Sequence, residues 1–84
     1  MQYNFKNKIT LITGSAGNLG SETAIEFAKL NSNLILIDLK IKKLISLKKK
    51  IISKYKVKID CYECDFNNEI SINSFLRSIK KKFK

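Results

Sequence analysis

The 84 residues contain no histidine, only two cysteines, three glycines, and seven acidic side chains against seventeen basic ones. Each scarcity removes a class of function. Without histidine, and with a single Cys-x-x-C at Cys61 and Cys64, the chain cannot assemble the four ligands of a structural zinc site. A redox pair would need its first cysteine at a helix N-terminus. Instead both thiols fall in Val57–Cys64, an alternating, extended segment in which residues three apart point to opposite faces. They read as ordinary buried thiols. No apolar run approaches the ~18 residues of a membrane-spanning helix, and Met1–Lys8 carries no stretch resembling a signal peptide. The expectation is a soluble, cytoplasmic chain with no membrane partner.

The shortage of acid leaves a formal net charge of +10, which invites an anionic partner. Most of the lysines lie in Lys40–Lys58 and Lys80–Lys84, interleaved with Ile and Leu at helical spacing, as on the solvated face of an amphipathic helix. No aromatic-interleaved RNA motif or helix-turn-helix accompanies them. Nucleic acid is therefore not the expected partner, and a basic interaction protein using these lysine faces is an alternative reading.

What the chain does have is a globular share of apolar residues, 44%, enough for one small domain. The order of its elements is informative. Lys8–Thr13 is a short β-branched run, and Asn18–Leu30 follows with Leu19, Ala24, Phe27 and Ala28 at helical period. Asn33–Asp38 is apolar on both faces, as a parallel strand between helix layers must be. Ile41–Tyr55 places Leu44, Ile45, Ile51, Ile52 and Tyr55 along one helical side. Val57–Cys64 is a third strand. From about Glu69 the chain is helical again, with Ile72, Phe75, Leu76, Ile79 and Phe83 facing inward. The order βαβαβα predicts an α/β fold, a parallel sheet with flanking helices. Right-handed crossovers give strand order 3-2-1, half of a doubly wound nucleotide-binding fold.

All three glycines fall at one junction, between the first strand and the first helix, in Thr13-Gly14-Ser15-Ala16-Gly17-Asn18-Leu19-Gly20. Gly14 would let the chain turn out of the strand. Gly17 would offer a pyrophosphate a backbone without Cβ, and Gly20 would let the helix pack close to the sheet. The amides opening the helix would then face phosphate, aided by the helix dipole. Asp38 ends the second strand 18 positions after Gly20, near the spacing expected of a carboxylate that binds the adenosine ribose. A carboxylate there accepts from both ribose hydroxyls and repels a 2′-phosphate, favouring NAD over NADP. Lys40, Lys42 and Lys43 would attract that phosphate if Asp38 turned aside, and Asp38 can also serve as a helix cap.

With these features in order, the chain resembles the short-chain dehydrogenase/reductase family over nearly its whole length. The lead-in Phe5-Lys6-Asn7-Lys8 and the strand ending Thr13-Gly14 are similar to those of the compact single-domain members. Cys64-Asp65-Phe66 resembles their aspartate-plus-apolar signature, whose carboxylate bonds the adenine amine and whose apolar residue contacts the ring. The compact members usually carry T-G-x-x-x-G-x-G. Here the spacing is T-G-x-x-G-x-x-G, with Asn18 at the middle glycine, a spacing usual in the family's extended branch.

The resemblance implies a cofactor-binding set of Gly14, Ser15, Gly17, Asn18, Leu19, Gly20, Asp38, Leu39, Asp65 and Phe66. It also implies a parent enzyme, commonly a homo-oligomer, that moves hydride between NAD and a small alcohol or carbonyl substrate. The family's catalytic Tyr-x-x-x-Lys pair, with its Ser and Asn, belongs to the second half of the fold. None of Tyr3, Tyr55 and Tyr62 stands four residues before a lysine. The 84 residues are accordingly read as the N-terminal half of a dinucleotide-binding domain without catalytic residues. A nucleotide-binding remnant or scaffold that has lost turnover is the alternative.

Overall fold

The computed structural model describes residues 4–83, and the order of elements is the expected one: β1 (Ile9–Thr13), α1 (Asn18–Lys29), β2 (Asn33–Asp38), α2 (Ile41–Ile52), β3 (Ile59–Glu63) and α3 (Glu69–Lys82). The three strands form one parallel sheet with β2 in the centre. Leu11 pairs with Ile35 and Ile35 with Asp60, so the C-terminal ends of all three strands reach the same edge. Among the described residues no helix is long and apolar enough to cross a membrane.

Side chains of β2 alternate between two cores, which is why the strand is apolar throughout. Leu34 and Leu36 join Ile12, Ala24, Ala28, Leu44, Leu47, Ile51 and Ile59 beneath α1 and α2. On the opposite face Ile35 and Ile37 meet Cys64 and Phe75 beneath α3. The two cysteines divide in the same way. Cys61 packs against the first core and Cys64 lies within the second, and both are free thiols. Burial raises the Cys61 thiol above its usual range.

Several inward assignments differ from expectation. In α2 the buried positions are Leu44, Leu47 and Ile51, whereas Ile45 and Ile52 are exposed. In α3 Phe75 is buried with Ile72 and Ile79 against its core, while Leu76 and Phe83 face outward. Leu19, at the start of α1, is 78% exposed. β2 has the expected bounds and α3 the expected start, while β1, α1, α2 and β3 are shorter than the patterns suggest. Lys8, Leu30, Ser53–Tyr55, Val57, Lys58 and Cys64 lie in the connections.

The connections have local causes. α1 ends with Asn31 at φ 71°; the Asn31 amide donates to the Ala28 carbonyl and that of Ser32 to the Phe27 carbonyl. This is a Schellman closure with asparagine in the left-handed position, where a short polar side chain is tolerated better than most. α3 is opened by Asn68, whose side-chain oxygen accepts from the Ser71 amide at 3.1 Å, the usual N-cap bond.

Candidate functional site

At the C-terminal edge of the sheet, β1 runs into the glycine segment. Gly14 takes φ 64°, a left-handed conformation that permits the sharp exit from the strand. Ser15 then locks the turn to β2. Its amide donates to the Ile37 carbonyl at 3.2 Å; its hydroxyl donates to the Ile12 carbonyl at 2.5 Å and accepts from the Ile37 amide at 3.2 Å. That hydroxyl is fully buried. Ser15 therefore extends the β1–β2 ladder from inside the protein, and its side chain faces away from the solvent side on which a ligand would lie.

The other two glycines differ from each other. A Cβ on Gly20 would collide with the carbonyl of Gly14 and the Cα of Ser15, so this position holds α1 against the end of β1. A Cβ on Gly17 would meet only the Gly14 oxygen, at 3.5 Å, an ordinary contact. Gly17 is the N-cap of α1, with extended backbone angles that any residue adopts and no side-chain cap. The protein's own packing thus gives no reason for glycine at 17.

Beyond Gly17 the helix opens. The Ser21 amide donates to the Gly17 carbonyl, whereas the amides of Asn18, Leu19 and Gly20 meet no acceptor among the described residues. Such first-turn donors, at the positive end of the helix dipole, form an anion-binding geometry. No acidic side chain occupies this turn.

Asp38 closes the site on its second side. One carboxylate oxygen accepts from the Ala16 amide and the other from the Lys40 amide, each at 3.0 Å. Partial burial raises its proton affinity. The amides of Lys40, Ala16 and Leu39, together with the Lys40 charge, outweigh that and hold the carboxyl below its ordinary range. Asp38 is thus ionised and fixed, not turned aside toward solvent.

Asp65 and Phe66 follow β3. The Asp65 amide donates to the Ser71 hydroxyl and its carboxylate accepts from the Asn67 amide, both at 2.9 Å. Phe66 stacks edge-on to Phe75 with ring centroids 6.4 Å apart, yet stays half-exposed. Gly14, Asp38, Leu39, Asp65 and Phe66, with Cys64 and Asn67, line one crevice of about 240 Å³ across the strand ends. A larger hollow of about 690 Å³, lined by Ile9, Asn33, Lys58, Lys82 and Phe83 among others, lies at the opposite, N-terminal edge of the sheet. In open α/β sheets ligands sit outside the carboxyl ends of the strands, which makes the smaller crevice the candidate site.

The chain as a whole matches known proteins. The model of the short chain dehydrogenase family matches residues 8–84. The chain belongs to the short-chain dehydrogenase family. It is 36% identical to a very-long-chain 3-oxoacyl-CoA reductase of Vanderwaltozyma polyspora over 84 residues, 98% of this chain and 24% of that protein. Among solved structures, a putative D-mannonate oxidoreductase from Haemophilus influenza with bound NAD superposes with TM-score 0.83 at 27% identity, over 96% of this chain and 29% of the other. A citronellol catabolism dehydrogenase from Pseudomonas aeruginosa PAO1 gives TM-score 0.86 at 22% identity, over 98% and 34%. The chain spans about a quarter of the length of the first of these relatives.

Within this short-chain dehydrogenase chain, sequence reasoning missed two contributors. Ala16 takes part only through its amide, and a backbone donor leaves no mark in residue type. Asn67 does carry a signal, since Asp65, Asn67 and Asn68 are turn-forming side chains gathered before a helix. Tyr55 is packed against the first core and Tyr62 meets Phe75 at 5.5 Å, while Tyr3 lies outside the described residues.

Proposed function

We propose that this chain binds the adenosine and pyrophosphate portions of a nicotinamide dinucleotide, NAD in preference to NADP. The observation that carries the reading is the crevice itself, in which Gly14 of the glycine loop, Asp38, and Asp65 with Phe66 meet at the carboxyl ends of the strands. The unsatisfied amides of Asn18, Leu19 and Gly20 suit the pyrophosphate. Gly17, with no packing need to be glycine, is where that group would approach. An ionised carboxylate has about four acceptor sites. The Ala16 amide occupies one oxygen of Asp38 and the Lys40 amide the other, and acceptor capacity remains on the carboxylate for the ribose hydroxyls. Phe66 offers an exposed apolar surface to adenine, and the Asp65 carboxylate an acceptor for its amine.

The parent protein, in this reading, is an oxidoreductase moving hydride between the cofactor and an alcohol or carbonyl of a small molecule. The bound cofactor would supply the hydride, and this stretch supplies orientation and charge. Related solved structures carry both cofactors, NAD in the D-mannonate oxidoreductase and NADP in a metagenomic short-chain oxidoreductase. The preference for NAD therefore rests on Asp38, whose fixed negative charge opposes a 2′-phosphate. Calorimetric titration tests it: NAD should bind at least about tenfold more tightly than NADP, the effect of roughly 1.4 kcal/mol. Tighter binding of NADP would overturn the cofactor assignment.

A further inference from the structure

We propose that Asp38 is also a positioning residue for the phosphate loop, holding Ala16 so that the amides opening α1 are aimed before any ligand arrives. The loop between β1 and α1 is closed on itself by one turn bond, from the Gly17 amide to the Gly14 carbonyl at 3.1 Å. Ser15 is tied to β2 through Ile37, and after Gly17 the helix supports itself from the Ser21 amide onward. Ala16, between them, packs its methyl against the first core, and its amide is oriented by a hydrogen bond to Asp38 across 22 positions of sequence. The opposite oxygen of the same carboxylate is held by Lys40, so the carboxylate plane is set from both sides. One side chain thereby couples the part of the site that reads ribose to the part that reads phosphate.

The consequence rests on the cofactor reading above, but the clamp does not. Asp38→Asn keeps the shape and removes one of the two acceptor oxygens, leaving an amide group facing an N–H donor. If Asp38 acts through ribose alone, a ligand without ribose hydroxyls should not notice the change. Under the clamp, it should.

The test compares adenosine diphosphate with its 2′,3′-dideoxy analogue on the wild type and on Asp38→Asn, with circular dichroism to verify the fold. Loss of preorganisation should weaken the dideoxy analogue by roughly threefold or more, and adenosine diphosphate by more than that. Equal affinity of the dideoxy analogue for both proteins would overturn the clamp. Binding of neither nucleotide to the wild type would instead overturn the cofactor reading. A measurement without ligand or substitution keeps the clamp testable in that case, or if the variant does not fold. A through-hydrogen-bond scalar coupling between the Ala16 amide nitrogen and the Asp38 carboxylate carbon should be seen in the wild-type protein. Its absence, with fast exchange of the Ala16 amide, would refute the clamp.

Discussion

At the residue scale the glycines separate into positions where the fold needs glycine, Gly14 and Gly20, and one where it does not, Gly17, and the separation can be measured. Gly20→Ala forces a Cβ into the Gly14 carbonyl, and overpacking of backbone against backbone should cost about 1–3 kcal/mol in a denaturant melt. Gly17→Ala meets no obstacle and should stay within about 0.5 kcal/mol of wild type, while weakening dinucleotide binding several-fold. Gly17→Val should block binding further by adding two methyls along the approach. A Gly17→Ala variant as destabilised as Gly20→Ala would show that position 17 serves the fold. Asp38 makes a pH prediction. Its folded-state pKa is depressed, so its contribution is present above the unfolded value and is lost as pH falls through the folded one. Stability should therefore decline from the usual carboxylate range downward, and Asp38→Asn should flatten that part of the acid titration. An unchanged acid profile would mean that Asp38 gains nothing on folding.

At the element scale, what holds each helix end is legible to different degrees. Asn68 precedes a helical pattern and caps α3 as its type suggests, so Asn68→Ala should cost about 1 kcal/mol in thermal unfolding. Asn31 closes α1 from the left-handed region. Asn31→Ala should destabilise by roughly 1 kcal/mol, and Asn31→Gly should not; equal effects would exclude the backbone explanation. Existence and order of the elements were readable because the apolar runs of β2 and the glycine junction have few alternatives. Faces were less so. α2 is apolar at 41, 44, 45, 47, 51 and 52, more than one stripe can bury. At about 100° per residue, Leu44, Leu47 and Ile51 share a line toward the sheet, and Ile45 and Ile52 fall to its side. The choice between overlapping stripes is made by the sheet, which a single helix pattern does not contain. In α3 the same ambiguity placed Leu76 and Phe83 inside. That Gly14, Asp38, Asp65 and Phe66 come together at the strand ends was legible from order and spacing. The inward turn of Ser15 was not, because it depends on where Ile37 lies across the sheet.

At the scale of the whole molecule, the sheet is unevenly covered. Ile9 and Leu11 on β1 point to the same face as Ile35 and Ile37, but α3 packs only over the latter, and the two remain 51% and 49% exposed. The outer edge of β1 has no partner strand among the described residues. An apolar strand with an open edge is a template for pairing. An isolated polypeptide of these 84 residues should therefore self-associate as its concentration rises in sedimentation velocity, and Leu11→Lys should shift it toward monomer. A wild-type monomer at all concentrations would show that the exposed face is tolerated.

The central claim is the location of the cofactor, and two hollows at opposite edges of the sheet make it decidable. Titration of the isotope-labelled protein with NAD, followed through backbone amide resonances, tests it most directly. The account predicts that the amides of Asn18, Leu19 and Gly20 move with those of Leu39 and Phe66, while Lys58 and Phe83 at the opposite edge stay still. Shifts confined to Lys58, Lys82 and Phe83, with the glycine loop unmoved, would contradict it.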